Sequence, residues 1–277
     1  WWLDIDATFK GTLGMRPSAA DPCLHCRFAN GTMTFVCLFV DDIIIASNDD
    51  MSIEAVKKGL EKHYSLTDQG DLRWCLGMRV TRNRKARTIY LDQQRYILDV
   101  LARFDMLKCK SVSSPMCTNA KISADTCPKT DDEKRELATC HALCRSIVGS
   151  VSYAALSTRP DIAAATIICA KFAHNPGRNH LIAAKRILRC LAGTTKLCLV
   201  HGDTPVHGTD SLRMPHHPQS GCNLALHGFT GSDWAGDLTS RKSTSGHIFF
   251  WNGGPVSWKS KMQSCIAQST AEAEHIA

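Results

Sequence analysis

At 277 residues, 44% of them hydrophobic, the chain is long enough to bury one large core or two ordinary ones, which excludes a disordered tail and a short disulfide-stapled scaffold. A formal charge of +7 is a modest basic bias that suits a polyanionic partner without demanding one. No apolar run approaches the ~20 residues of a membrane span and no targeting segment is visible, so no membrane partner is expected.

Residues 1–13, WWLDIDATFKGTL, suggest a short strand with Asp4 and Asp6 on one face by the period of two. Residues 35–47, FVCLFVDDIIIAS, suggest two strands of a hairpin with Asp41 and Asp42 at its tip. Neither flank supplies a cation. Adjacent carboxylates repel, and in a partly desolvated setting they stay ionised only beside a positive partner, so an oxygen-loving divalent ion is the natural candidate. Taken alone, the pair also fits a plain acidic turn. Residues 51–64 place Ile53, Val56 and Leu60 on one side of an amphipathic helix that starts at Ser52.

Residues 70–78 form a turn leading into a strand, and residues 88–107 a strand, TIYLD, followed by a helix whose apolar side carries Tyr96, Ile97, Val100, Leu101 and Phe104. Basic residues bunch between Arg79 and Lys110, which suits phosphates or a solvated face. Residues 117–136, polar and containing Pro128, make the best linker. A helical pattern fills 137–200, where Lys185, Arg186 and Arg189 lie along one helix, placed for phosphate contact or for packing and solubility. Residues 201–223, rich in His, Pro, Gly and Ser, form a loop whose His201, His207, His216 and His217 lack ligand spacing.

The chain has 14 cysteines, mostly in apolar surroundings such as Cys37, Cys75, Cys169 and Cys190, as expected of reduced, buried thiols. Cys23 and Cys26 have zinc-knuckle spacing, and Cys140, His141 and Cys144 form a looser group. A structural zinc needs four ligands and neither group has a partner pair, so no zinc is expected. The chain opens on Trp1 and stops at Ala277 inside a helical pattern, as a piece of a longer product would.

The run FVDD between apolar strands, followed by IIIASND, resembles the catalytic hairpin of reverse transcriptases, and more specifically the Ty1/copia class of retrotransposon. Residues 1–13 are similar to that family's first carboxylate motif, which makes Asp4 a metal ligand and Phe9 the ring that lies under the incoming sugar. The segment GDLRWCLGM resembles one whose Leu-Gly, here Leu76 and Gly77, lies near the primer end. TRPDI at 158–162 and HNPG at 174–177 match recurrent phrases of the same class. Toward the end, GSDWAGD, RKSTSGHIFF, GGPVSWKSK and STAEAEHIA resemble the start of a retroelement RNase H. There Glu274 matches the metal ligand of the first helix, while Gly231 stands at the position of the first Asp and Asp233 lies two residues further on.

The resemblance implies an α+β fold: a truncated polymerase palm over 1–116, the 117–136 linker, a helical thumb or connection over 137–200, the 201–223 loop, and an incomplete RNase H-like α/β domain over 224–277. It implies RNA-directed DNA polymerase and RNase H chemistry within a Pol polyprotein, with two Mg2+ ions held by Asp4, Asp41 and Asp42. The implied partners are an RNA template, a DNA primer, the RNA–DNA hybrid, dNTPs and other Pol and Gag parts, in a cytoplasmic virus-like particle or the nucleus. One departure stands out. In the family several dozen residues separate the first carboxylate motif from the segment entering the hairpin, whereas here that segment follows Leu13 directly. The expectation is therefore a degenerate or incomplete copy with little activity on its own. A non-catalytic hybrid-binding module is the alternative, and a zinc or redox protein built on the cysteines is the third reading.

Overall fold

The computed structural model describes residues 1–117, 122–202 and 226–277, with the backbone of 211–212. Residues 118–121 of the expected linker and most of the expected 201–223 loop, His207, His216 and His217 included, lie outside the described residues. The architecture is α+β, in two compact units, Trp1–Leu72 and Arg73–Ala277.

The first unit begins with α1 (Trp2–Gly11), where a strand was expected. Apolar residues at 5, 9 and 13 recur every four positions, the spacing of one helix face, and Ile5, Phe9 and Leu13 are all buried. An Asp6–Lys10 ion pair four residues apart, 2.5 Å long, lies along the same helix. Four antiparallel strands follow: β1 (Arg16–Pro17), β2 (Leu24–Ala29), β3 (Thr32–Phe39) and β4 (Asp42–Ser47), in the order β1-β2-β3-β4. Then comes α2 (Asp50–Glu61), capped not by Ser52 but by Asp49, whose carboxylate accepts from Ser52 N at 2.9 Å. Both helices cover one sheet face, with Ile5, Phe9, Val56 and Leu60 packed on Val36 and Leu38.

The second unit opens with β5 (Trp74–Cys75), β6 (Met78–Asn83), β7 (Thr88–Asp92) and α3 (Gln94–Arg103). Part of the expected linker is helical: α4 (Asp131–Glu136) starts from a capping box between Thr130 and Glu133. The helices α5 (Ala138–Ser157), α6 (Ala163–Lys171) and α7 (Arg178–Gly193) build a core with α3 through Ile97, Leu101, Ile147, Val151, Ile187 and Leu188. Strand β8 (Cys198–Gly202) returns to pair with β7 and, in parallel, with β9 (Ser211–Leu212). Antiparallel strands β10 (His227–Asp233), β11 (Thr244–Trp251) and β12 (Gly254–Met262) form a separate sheet, and α8 (Thr270–Ile276) packs on β10. This sheet is pinned to the helices where Trp258 Nε1 donates to Ala155 O at 2.7 Å. No helix among the described residues is long and apolar enough to cross a membrane.

The TRPDI phrase is the clasp of this unit. Arg159 has a fully buried side chain, and its guanidinium meets the Asp161 carboxylate through two bonds of 2.8 and 2.7 Å. Its remaining donors reach Thr194 O and Thr194 Oγ1, at the end of α7. Thr158 adds a buried bond to Gln93 Oε1 at 2.8 Å, ahead of α3. A buried guanidinium is tolerated only when paired and saturated with acceptors. Arg159→Met leaves Asp161 and Thr194 without their donors and is expected to cost about 3 kcal/mol. Arg159→Lys is expected to lose most of that too, because one ammonium does not span the same acceptors. Urea unfolding followed by circular dichroism checks both, and a wild-type midpoint in either variant would show the clasp to be dispensable.

Candidate functional site

In the first unit Phe39 pairs with Asp42, so β3 and β4 are joined through Val40 and Asp41 alone. Val40 sits at φ +54°, a costly conformation for a β-branched residue. The tight connection brings the Asp41 and Asp42 carboxylates out at the tip, both exposed, and among the described residues neither makes an ion pair. Asp41 lines a cavity of about 410 Å³ with Trp1, His63, Tyr64 and Leu66. Trp1 Nε1 donates to Val40 O at 3.3 Å and ties the start of the chain to the hairpin tip.

Asp4 lies nearby on α1, where its carboxylate accepts from the Tyr64 hydroxyl at 2.8 Å. Burial and the Asp4 carboxylate push the Tyr64 phenol up, which keeps it a donor. Asp4, Asp41 and Asp42 do not converge: no group of three His, Cys, Asp or Glu side chains placed to hold a metal exists among the described residues. Phe9 is displaced further from its expected role. It is 0% exposed in the core, its ring 4.6 Å from that of His25, and a side chain sealed there meets no nucleotide sugar. Asp6 has a structural partner that the sequence hid: fully buried His25, whose Nε2 lies 2.9 Å from Asp6 Oδ1. The Lys10 ammonium, and after it His25, hold the Asp6 carboxyl below the usual range.

In the second unit Leu76 and Gly77 form the exposed β5–β6 turn, both at positive φ. Arg186 and Arg189, candidates for phosphate contact, have their Nε atoms on Ser114 O at 3.1 Å and Lys110 O at 2.7 Å. They staple the segment after α3 to α7. In the terminal sheet, a Cβ built on Gly231 would lie 3.8 Å from Glu274 Oε2, so the centre of β10 faces the first turns of α8. Asp233 does not fill that gap, because its Oδ1 accepts from Thr244 N at the start of β11.

The first unit thus presents a carboxylate-tipped hairpin backed by two helices, and the second a helical core with two further sheets. The reverse transcriptase (RNA-dependent DNA polymerase) family matches residues 1–118. The chain is 38% identical over 278 residues, its full length, to the retrovirus-related Pol polyprotein from transposon TNT 1-94 of Nicotiana tabacum, covering 19% of that protein. It is 34% identical over 99% of its length to the corresponding polyprotein from transposon RE1 of Arabidopsis thaliana, covering 17%. A putative transposon Ty5-1 protein of Saccharomyces cerevisiae is 26% identical over the whole chain and 81% of its own length. The chain belongs to the Ty1/copia-type retrotransposon Pol polyprotein family. It spans less than a fifth of the length of the tobacco and Arabidopsis polyproteins it matches. No solved structure matches it significantly.

The tobacco match corrects one expectation. A match of 278 residues over this 277-residue chain leaves no room for several dozen missing residues after Leu13. The helical α1 agrees, since a segment with buried residues at 5, 9 and 13 is not the strand of a first carboxylate motif.

The terminal sheet has a second tie to the helices, an ion pair between Lys171 of α6 and Asp237 in the β10–β11 connection. Burial works to raise the Asp237 carboxyl, but Lys171 and the Ser240 hydroxyl and N–H outweigh it and hold it at about 2. The folded value lies below the ordinary 3.8, so the stabilisation is present above pH ~4 and is lost as pH falls toward 2. It amounts to about 2 kcal/mol at neutral pH. Asp237→Asn is therefore expected to lower the urea midpoint at pH 6 and to approach wild type near pH 2. An equal deficit at both would remove the ion pair as the cause.

Proposed function

We propose that the chain supplies the metal-binding hairpin and the downstream part of a reverse transcriptase within a longer Pol polyprotein, acting on an RNA template and a DNA primer. The observation that carries this reading is the Asp41–Asp42 tip, two exposed carboxylates without an ion pair among the described residues. Hard oxygen donors of this kind fit Mg2+, which keeps several of its waters and needs only one or two carboxylates plus substrate phosphates. Bound there, Mg2+ would supply charge stabilisation for nucleotidyl transfer from a dNTP. Asp41 and Asp42 hold and orient, and the cavity beside Asp41 keeps one side of the tip open. Asp4, bound to Tyr64 on α1, is assigned to holding that wall of the cavity, so the third carboxylate comes from elsewhere in the polyprotein.

For the terminal sheet we infer an RNase H-like lineage without hydrolytic competence. RNase H chemistry uses paired carboxylates around two ions, and Gly231 leaves Glu274 without its neighbour. Hybrid binding without cleavage is the role left to this part, and Gly231 is the observation that favours the non-catalytic alternative there.

Two measurements test these readings. Mn2+ relaxation enhancement, with Mn2+ replacing Mg2+, is expected to show weak binding by the wild-type chain that Asp41→Asn with Asp42→Asn abolishes, and primer extension is expected to be absent from both. Unchanged Mn2+ binding in the double variant would sink the hairpin assignment. Extension by the chain alone would show that its own residues complete the site. Gly231→Asp is expected to fit, since among the described residues beyond its chain neighbours only Glu274 Oε2 comes within 4 Å of the new Cβ, and to raise Mn2+ affinity at Glu274 at least tenfold. No gain would remove the assignment of Gly231 and Glu274 to one metal position.

A further inference from the structure

We propose that Tyr153 is the positioning residue of the β5–β6 turn, clamping Leu76 and Gly77 in the shape against which a primer 3′ end is set. The proposal rests on the reverse transcriptase reading above.

The turn is strained. Cys75 pairs with Met78, leaving two central residues, and both have positive φ: +48° at Leu76 and +74° at Gly77. Hairpin turns of this kind favour Asn-Gly, because glycine takes positive φ freely and Asn tolerates it. Leucine has neither advantage, so left to itself the turn would relax toward other conformations. Strand β5 is too short to hold it, with two residues at the edge of its sheet.

Tyr153 supplies the missing restraint. Its hydroxyl donates to Leu76 O, across 77 positions of chain. It also occupies the space a side chain at 77 would need: a Cβ on Gly77 would lie 2.9 Å from the Tyr153 hydroxyl. Gly77 is thus fixed twice, by its φ and by the hydroxyl above it. Tyr153 is itself braced. Its ring stands edge-on to that of Tyr96 at 4.9 Å and 88°. The Tyr96 hydroxyl in turn donates to Ser150 O at 2.8 Å, one turn back along α5. The phenol of α3 and the phenol of α5 lock each other, and the second locks the turn.

What the clamp presents outward is backbone. Gly77 is exposed and bears no side chain, and Trp74 and Leu76 beside it are 51% and 37% exposed. A strained, bare turn rigidly attached to a helical core suits close approach by another backbone, here the sugar-phosphate chain ending at the primer 3′-hydroxyl. The Tyr153 hydroxyl touches no substrate. It acts by holding the turn that does.

The test uses the 277-residue chain and two fluorescent RNA–DNA hybrids of equal length, one with a recessed DNA 3′ end and one flush, read by anisotropy. Wild type is expected to prefer the recessed end severalfold. Tyr153→Phe keeps the ring against Tyr96 and removes the hydroxyl, so it should lose about fivefold of that preference, the scale of one hydrogen bond. Binding to the flush hybrid and the unfolding midpoint should stay as in wild type, while amide exchange at 76–78 accelerates. Gly77→Ala, which displaces the hydroxyl from the other side, should give the same loss. Retained end preference in Tyr153→Phe, or an equal fall on both hybrids, would overturn the proposal. So would wild type binding both hybrids alike, which leaves the reverse transcriptase reading standing. A wild-type chain that binds neither hybrid overturns that reading and the clamp with it.

Discussion

A guanidinium with no access to water sits at the corner where three helices of the second unit meet, and much of that unit's geometry follows from satisfying it. Arg159 follows α5, its carboxylate partner Asp161 leads into α6, and Thr194, which takes its other donors, ends α7. Because a charge left unpaired in such a place costs several kcal/mol, the three helix ends have little freedom to separate. The last two turns of α5 are therefore a fixed platform. From it Ser150 O receives Tyr96, Tyr153 reaches Leu76, and Ala155 O receives Trp258. The β5–β6 turn and the terminal sheet, far apart in sequence, hang from one helix end.

The first unit is organised by the opposite electrostatic choice. Its half-buried acid, Asp6, is paired with the Lys10 ammonium and lies within hydrogen-bond reach of the His25 ring, and so contributes to packing. Among the described residues the hairpin acids have no such cation, although the chain is basic overall. Two adjacent carboxylates on a turn that also strains Val40 are a local cost in both charge and backbone energy. A protein selected only for stability would gain by relieving either, which is the physical reason to place function there and not at Asp6.

The hairpin was legible because its signal is dense: apolar β-branched flanks of period two, interrupted by two acids, leave one place for the turn. The start of the chain was misread because LDID alternates over four residues and mimics a strand. The helical signal, Ile5-Phe9-Leu13, spans nine positions and becomes decisive only when that whole window is weighed. Gly231 and Glu274 were placed by family likeness, and nothing in their local pattern brings a strand centre to a helix that begins 39 residues later. The roles of Arg186, Arg189 and Tyr153 were invisible for a different reason. Sequence displays donors, but their acceptors are backbone carbonyls of distant segments, which every residue has and no pattern marks.

Folding of the terminal sheet makes no demand on the side chain at 231. Gly231 pairs with Gly246 across the ladder, and backbone hydrogen bonds between β10 and β11 do not need a side chain at either position. The sheet is instead secured by Trp258, by Lys171 with Asp237, and by α8 on β10. A glycine at 231 costs the fold little, since an acid there would face Glu274 and repel it in the absence of metal. The same reasoning applied to the hairpin gives the contrary result. Asp41 and Asp42 bring repulsion without any packing gain, a cost that the architecture around them does not offset and that the cation proposed for the tip would.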